Sequence, residues 1–235
     1  MNIKILRGIE GAKKATGLVV VIDVFRAFST ACYVFNRGAE QIIPVGNIEL
    51  AYQIKKENPN FILMGERHGW IQPGFEFGNS PFRIKDFDFT GKTIVHTTSA
   101  GTQGIANAIN AEEIVTGSFV NVEAVISYIR FRNSQDVSLV CTRKADEPVL
   151  DEDAVCAHYI KDALTGHSQD FNDIVDHLKR EGFAKHFFDP ERDSHPAEDF
   201  DLCLALNKFS FILKADSYRD HLVCLRKIES KAFAD

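Results

Sequence analysis

The sequence has no apolar run that approaches the roughly 20 residues a membrane-spanning helix needs, so no membrane partner is expected. Its first residues, Met1-Asn2-Ile3-Lys4-Ile5, lack the basic-then-apolar build of a secretory signal, and the cytoplasm is the expected compartment. It has no basic block, and the formal net charge is -6, which argues against nucleic acid as a partner. The five cysteines (Cys32, Cys141, Cys156, Cys203 and Cys224) form no CxxC pair and signal neither a zinc site nor a dithiol redox centre. Most sit in apolar runs, where a free cysteine behaves as a small hydrophobe. The eight histidines show no HExxH spacing. Low-complexity linkers and internal repeats are also missing. What is present is an ordinary globular composition, 45% hydrophobic and 26% charged, in a chain of 235 residues that can bury a core without staples. The negative balance means that a phosphorylated substrate would need local positive charge. The composition leaves a homo-oligomer open.

The run Leu18-Val19-Val20-Val21-Ile22 is continuously apolar rather than alternating, the mark of a strand buried on both faces of a parallel sheet. It ends at Asp23, and an amphipathic helix from about Arg26 to Arg37 follows, stopped by Gly38. The rhythm repeats. Strands are expected at Gln41–Val45, Phe61–Met64, Thr93–Thr97, Glu113–Thr116 and Val137–Cys141. Helices are expected from the N-cap Asn47 to about Asn58, and at about Gly101–Asn110, Val122–Arg132, Glu152–Leu164 and Phe171–Arg180. Phe209–Leu213 and His221–Leu225 read as a closing strand pair. This order predicts an α/β protein, a three-layer α/β/α arrangement with a mostly parallel sheet and a C-terminal strand pair. The expectation is a single α/β domain over residues 1–235, with a candidate C-terminal lobe from about residue 170.

In open α/β sheets, ligands bind beyond the carboxyl ends of the strands. The residues expected there are Asp23 with Arg26, Glu66 with Arg67, the turn Thr98-Ser99-Ala100-Gly101-Thr102, Gly117-Ser118, and Thr142-Arg143. The segment after Arg143 leads to Glu152 and Asp153 in a first helical turn. Carboxylates hold magnesium as hard oxygen ligands, while arginine forks and backbone N–H groups hold oxyanions. Together they suit a phosphoryl site with a divalent cation. Each element also has a structural reading. Asp23 can serve as a helix N-cap, Glu66 and Arg67 as a solvated pair, and Glu152 and Asp153 as partners of the helix dipole. The Thr98–Thr102 turn can be a small-residue cap or a phosphate cradle, although it lacks the lysine of a P-loop. His68 and His96 are the histidines nearest this edge.

The stretch GERHGWIQPGFEFGNSP, from Gly65 to Pro81, is longer than an ordinary connection. Trp70, Ile71, Phe75 and Phe77 give it something to bury. Gly69, Gly74 and Gly78 let backbone come close to a ligand.

Four pieces, in order and spacing, resemble the 2-phosphosulfolactate phosphatases: Val21-Ile22-Asp23-Val24-Phe25-Arg26-Ala27, Gly65-Glu66-Arg67 leading to Gly74-Phe75-Glu76-Phe77-Gly78-Asn79-Ser80-Pro81, Gly101-Thr102, and Glu152-Asp153-Ala154-Val155-Cys156-Ala157. The resemblance spans about Leu18 to Ile160. It implies a phosphoric monoester hydrolase that uses Mg2+ to convert 2-phosphosulfolactate to sulfolactate and phosphate, a step in coenzyme M biosynthesis. On that reading Asp23 and Glu66 are catalytic, and Asp23, Glu66, Glu152 and Asp153 are metal ligands. Arg26, Arg67, Asn79, Ser80, Thr98, Ser99, Gly101, Thr102 and Arg143 bind the small anionic substrate. Two alternatives stay open. One is a phosphatase in which Asp23 forms an aspartyl-phosphate, although Asp23-Val24-Phe25 lacks the second acid of a DxD pair. The other is a small-anion-binding protein without chemistry.

Overall fold

Leu18 to Ile22 form the body of β2 (Gly17–Ile22), and every residue of this strand is buried, as a run apolar on both faces requires. The computed structural model describes residues 1–143, 151–180, 182–219 and 221–233. In chain order the elements are β1 (Asn2–Arg7), α1 (Gly8–Lys14), β2, α2 (Ala27–Asn36), β3 (Gln41–Pro44), α3 (Ile48–Glu57), β4 (Ile62–Gly65), α4 (Pro81–Ile84) and β5 (Thr93–Thr97). They continue with α5 (Gly101–Asn107), β6 (Ala111–Gly117), α6 (Val122–Arg132), β7 (Asp136–Cys141), α7 (Glu152–Thr165), α8 (Phe171–Arg180), α9 (Ala197–Cys203), β8 (Phe211–Ser217) and β9 (Val223–Glu229). The fold is α/β, and the nine strands among the described residues form one sheet in the order β1-β7-β2-β6-β8-β9-β3-β5-β4.

The strands expected from the sequence are present, and β1 with α1 adds a parallel partner to β7 that the pattern did not announce. The C-terminal pair β8-β9 also forms, but it sits in the middle of the sheet. β8 pairs antiparallel with β6, and β9 antiparallel with β3. Three successive antiparallel pairings (β6/β8, β8/β9 and β9/β3) therefore separate two parallel blocks, β1-β7-β2-β6 and β3-β5-β4, which run in opposite directions.

The core shows how the blocks are arranged. One face of β2, through Val19 and Val21, shares a cluster with Ile42 of β3, Ile94 of β5 and Met64 of β4. Between them lies α2, with nine of its ten residues buried. The sheet therefore curls around α2, as accumulated right-handed strand twist allows. This corrects the amphipathic reading of Arg26–Arg37: Ala27–Asn36 carries no charged side chain, which suits a helix enclosed on all sides. The opposite face of β2 (Leu18, Val20, Ile22) packs under α6, α7 and α8, and that of the second block (Ile43, Leu63, Val95) under α3. Helices α8 and α9 pack into the same cluster as Leu18 and Val20.

The long segment after β4 has two tasks. β4 is an edge strand, and Phe77 returns beside it, with Gly65 N donating to Phe77 O at 3.0 Å and a bridge from Met64 to Phe77. Covering an edge in this way removes a site of stray strand pairing. Phe75 is buried, and Phe77 stacks edge-on with Phe87 and Phe89. Trp70 and Ile71, expected to anchor the loop, are instead 60% and 50% exposed. They lie at the tip of the segment, beyond the part that follows β4.

Candidate active site

Asp23 directly follows β2, and its Oδ1 accepts from Ala27 N at 2.9 Å, bracing the start of α2. Its Oδ2 lies 3.3 Å from Thr142 Oγ1, but that hydroxyl has one proton and Asp153 Oδ2 is closer, at 2.9 Å. Asp23 lines a cavity of about 610 Å³ together with Glu66, Glu152 and Asp153. Opposite strand directions would put the carboxyl ends of β2 and β5 on opposite edges of a flat sheet. Curling brings them together: a Cβ on Gly101, the first residue of α5, would sit 2.6 Å from Asp23 Oδ2. Only glycine admits that approach.

Asp153, in the first turn of α7, accepts from Val24 N at 2.9 Å and from Thr142 N at 3.1 Å. It thereby clamps the ends of β2 and β7 together. Glu152 pairs with Arg143, whose Nε donates to Oε1 at 3.1 Å. The start of α7 is capped by Asp151, which accepts from Ala154 N and pairs with Arg7. Burial raises the pKa of Asp23 to about 6, with nearby Glu66 pushing the same way. Burial also raises Glu152 to about 7, with Asp151 and Asp23 adding to the rise, and lifts Asp153 well above the usual carboxylate range, with Asp23 and Glu152 adding to it. These are buried acids crowded together, held in place by backbone donors. Residues 144–150 of the segment after Arg143 lie outside the described residues.

Glu66 lines the same cavity but also organises its wall. Oε1 accepts from Ser99 N at 2.8 Å, and Oε2 accepts from Gly69 N at 2.7 Å and Ser99 Oγ at 3.0 Å. Its position depends on Gly65, at φ +138, where any Cβ would lie 1.9 Å from Thr97 O. Arg67 turns away. Its guanidinium donates to Glu66 O, Gly46 O and Thr97 Oγ1 at 2.8, 3.1 and 2.6 Å, and it lines a neighbouring groove with Asn47 and Gln103. Thr98 and Thr102 bond each other reciprocally, each backbone N donating to the other's hydroxyl, so they cap α5. Ser99 and Ala100 of that turn do reach the cavity.

Arg26 and Asn79 line the cavity as well. Arg26, 4% exposed, donates to Asp199 Oδ2 at 2.7 Å and to Ser194 O at 3.0 Å. Asn79 Oδ1 is 3.3 Å from His96 Nε2. Burial lowers the pKa of His96 to about 4, and Arg67 adds to the effect. A neutral imidazole donating through Nε2 turns the Asn79 amide so that its nitrogen is the end not held by His96. Ser80 is the N-cap of α4 and donates to Asp199 Oδ1 at 2.9 Å, so it acts behind the wall.

Sequence reasoning missed the segment that closes the cavity, from about His186 to Asp199. Asp199 is wholly buried and holds Arg26, Ser80 and Phe82 N at once. Arg192 and His195 add to the lining. No local pattern marks Asp199, because its partners Arg26, Ser80 and Phe82 lie more than 100 positions away.

Two independent comparisons bear on this arrangement. The profile described as 2-phosphosulpholactate phosphatase matches residues 4–217. The chain belongs to that family. This makes the enzyme a phosphoric monoester hydrolase. Its relatives include three proteins that each carry the name "Probable 2-phosphosulfolactate phosphatase". The protein from Bacillus subtilis is 29% identical over 215 residues, 91% of this chain and 93% of the relative. That from Caldicellulosiruptor saccharolyticus is 33% identical, covering 88% of this chain and 84% of the relative. That from Thermotoga petrophila is 43% identical over 122 residues, 52% of each. No helix among the described residues is long and apolar enough to cross a membrane.

Proposed function

We propose that this phosphatase hydrolyses 2-phosphosulfolactate to sulfolactate and phosphate with Mg2+, in coenzyme M biosynthesis and in the cytoplasm. The observation that supports it best is the convergence of Asp23, Glu152 and Asp153 on one wall of a cavity that also carries Arg26 and Arg143. Three buried acids facing an anionic substrate make chemical sense when a divalent cation stands between them. Among the described residues no three His, Cys, Asp or Glu side chains already form a closed metal cage. The ion is therefore given two carboxylates, with waters and substrate phosphate completing its shell, as magnesium commonly takes. Asp23 through Oδ2 and Glu152 are the residues assigned to hold it, with Asp153 bracing both strand ends. Glu66 moves from ligand to organiser of the Ser99 and Gly69 backbone. When bound, the ion supplies Lewis-acid withdrawal at the phosphoryl oxygens.

The chain's own residues do the rest. Arg143 and Arg26 provide cationic hydrogen bonds to the oxyanion, and the amide of Asn79 and the hydroxyl of Ser99 provide neutral ones. On this reading Asp23, fixed by Ala27 N, helps to orient the attacking water beside the phosphoryl group. Measuring phosphate release from 2-phosphosulfolactate and from monoesters lacking the sulfonate, with Mg2+ and with EDTA, tests the reading. Release should need both the metal and the sulfonate. Activity that ignores the sulfonate, or persists in EDTA, would overturn it.

A further inference from the structure

The cavity wall carries two chemically different sets of residues. The acids Asp23, Glu152 and Asp153 gather at the carboxyl ends of β2 and β7 and the start of α7. The opposite contribution comes from the C-terminal segment, where Arg192 and His195 reach the same cavity. We propose that Arg192, with His195 beside it, forms the subsite for a second anionic group of the substrate, apart from the phosphoryl group, and so sets specificity for phosphomonoesters with a charged tail. This rests on the phosphatase reading above and adds residues to it.

The segment is built to hold that position. His195 N donates to Arg192 O at 2.9 Å and Arg192 N to Asp189 O at 3.0 Å, so the two side chains stand on consecutive tight turns. The turns are tied to the rest of the wall at three points. Arg83 pairs with Asp193 at 2.8 Å, Arg26 donates to Ser194 O, and Arg26 pairs with Asp199 in α9. His195 packs on the Gly69 turn, where a Cβ would fall 2.8 Å from its Cε1. Burial, with Arg26 as the next contributor, lowers the pKa of His195 to about 3. The ring is therefore a neutral hydrogen-bonding partner, and the positive charge around it comes from the arginines Arg26 and Arg192. Arg26 is already balanced by Asp199, wholly buried. Arg192 is different: its side chain is 47% exposed, and its ion pair with Asp189, at 3.4 Å, is a surface pair. Such pairs are weak and exchange readily. A bound anion can recruit the Arg192 fork without stranding a buried charge.

The test compares wild type with Arg192→Gln and Arg192→Lys on three substrates: 2-phosphosulfolactate, 2-phospholactate and a neutral-tailed alkyl phosphate of similar length. Arg192→Gln should raise KM for the charged-tail substrate wild type prefers by about tenfold, with kcat within about twofold. The alkyl phosphate should respond by less than about twofold, and Arg192→Lys should recover part of the loss, because it keeps the charge and loses the fork. A wild type that prefers charged tails while Arg192→Gln keeps that preference overturns the subsite and leaves the phosphatase reading intact. A wild type without any preference for a charged tail overturns the substrate reading and the subsite with it.

Discussion

The buried pair Arg26–Asp199 gives the sharpest test of how the C-terminal segment supports the site. Asp199 is 0% exposed and receives three donors: Arg26 Nη1 at 2.7 Å, Ser80 Oγ at 2.9 Å and Phe82 N at 2.8 Å. Asp199→Ala leaves a guanidinium that is 4% exposed without its counter-charge. Breaking one side of a buried pair costs about 3–5 kcal/mol, a large part of the roughly 5–15 kcal/mol that holds a domain folded. For a chain of this size that means a drop in Tm of about 6–20 °C. Arg26→Met should be costly for the converse reason, since it strands the carboxylate. Removing both charges together, as Arg26→Met with Asp199→Ala, should give a protein more stable than either single variant, short only of the hydrogen bonds Ser80 and Phe82 lose. Every variant lacking Arg26 should have little phosphatase activity whatever its stability, because Arg26 lines the cavity. Denaturant melts on the four proteins of this cycle give the coupling. An Asp199→Ala loss below about 1 kcal/mol, or a double variant that simply sums the two losses, would refute the reasoning.

Two further predictions follow from residues whose surroundings differ from their sequence reading. Arg67→Ala should destabilise the enzyme by roughly 2–3 kcal/mol through three lost hydrogen bonds and change KM by less than about threefold; a tenfold rise in KM with normal stability would restore Arg67 as a substrate ligand. His96, held neutral by burial with a pKa of about 4 against an ordinary 6.5, favours the unfolded state once the pH falls below 6.5, where only the unfolded chain takes up the proton. Between pH 7 and pH 4 the wild type should therefore lose up to about 3 kcal/mol more than His96→Gln; parallel pH profiles for the two proteins would contradict it.

Much of the site was legible because parallel strands leave a direct mark. The unbroken apolar run of β2 ends at Asp23, β5 ends before Thr98, and β7 ends before Thr142, so the polar residues after them had to lie at strand ends. The acids after Asp151 were legible as a helix start, and Asp151 does cap it. Pattern alone could not say which way a side chain would turn. Glu66 and Arg67 are neighbours, yet one faces the cavity and the other braces a different groove. Nor could pattern show that β8-β9 separates the two parallel blocks, because strand order depends on pairings across the whole chain. Asp199 carries no local signature at all. Its role exists only where Arg26 and Ser80, far apart in sequence from it, meet it in the core.

Asp23, Glu152 and Asp153 are proposed to form the cation and phosphoryl site of the cavity. Calorimetric titration of Mg2+ into the wild type and into Asp23→Asn, which keeps the size of the side chain and removes its charge, addresses it most directly. The substitution should weaken Mg2+ binding by about tenfold or more while the protein stays folded, with turnover falling further than substrate affinity. Equal Mg2+ affinity in the two proteins would contradict it, and would leave Asp23 only its hydrogen bond to Ala27 N at the start of α2.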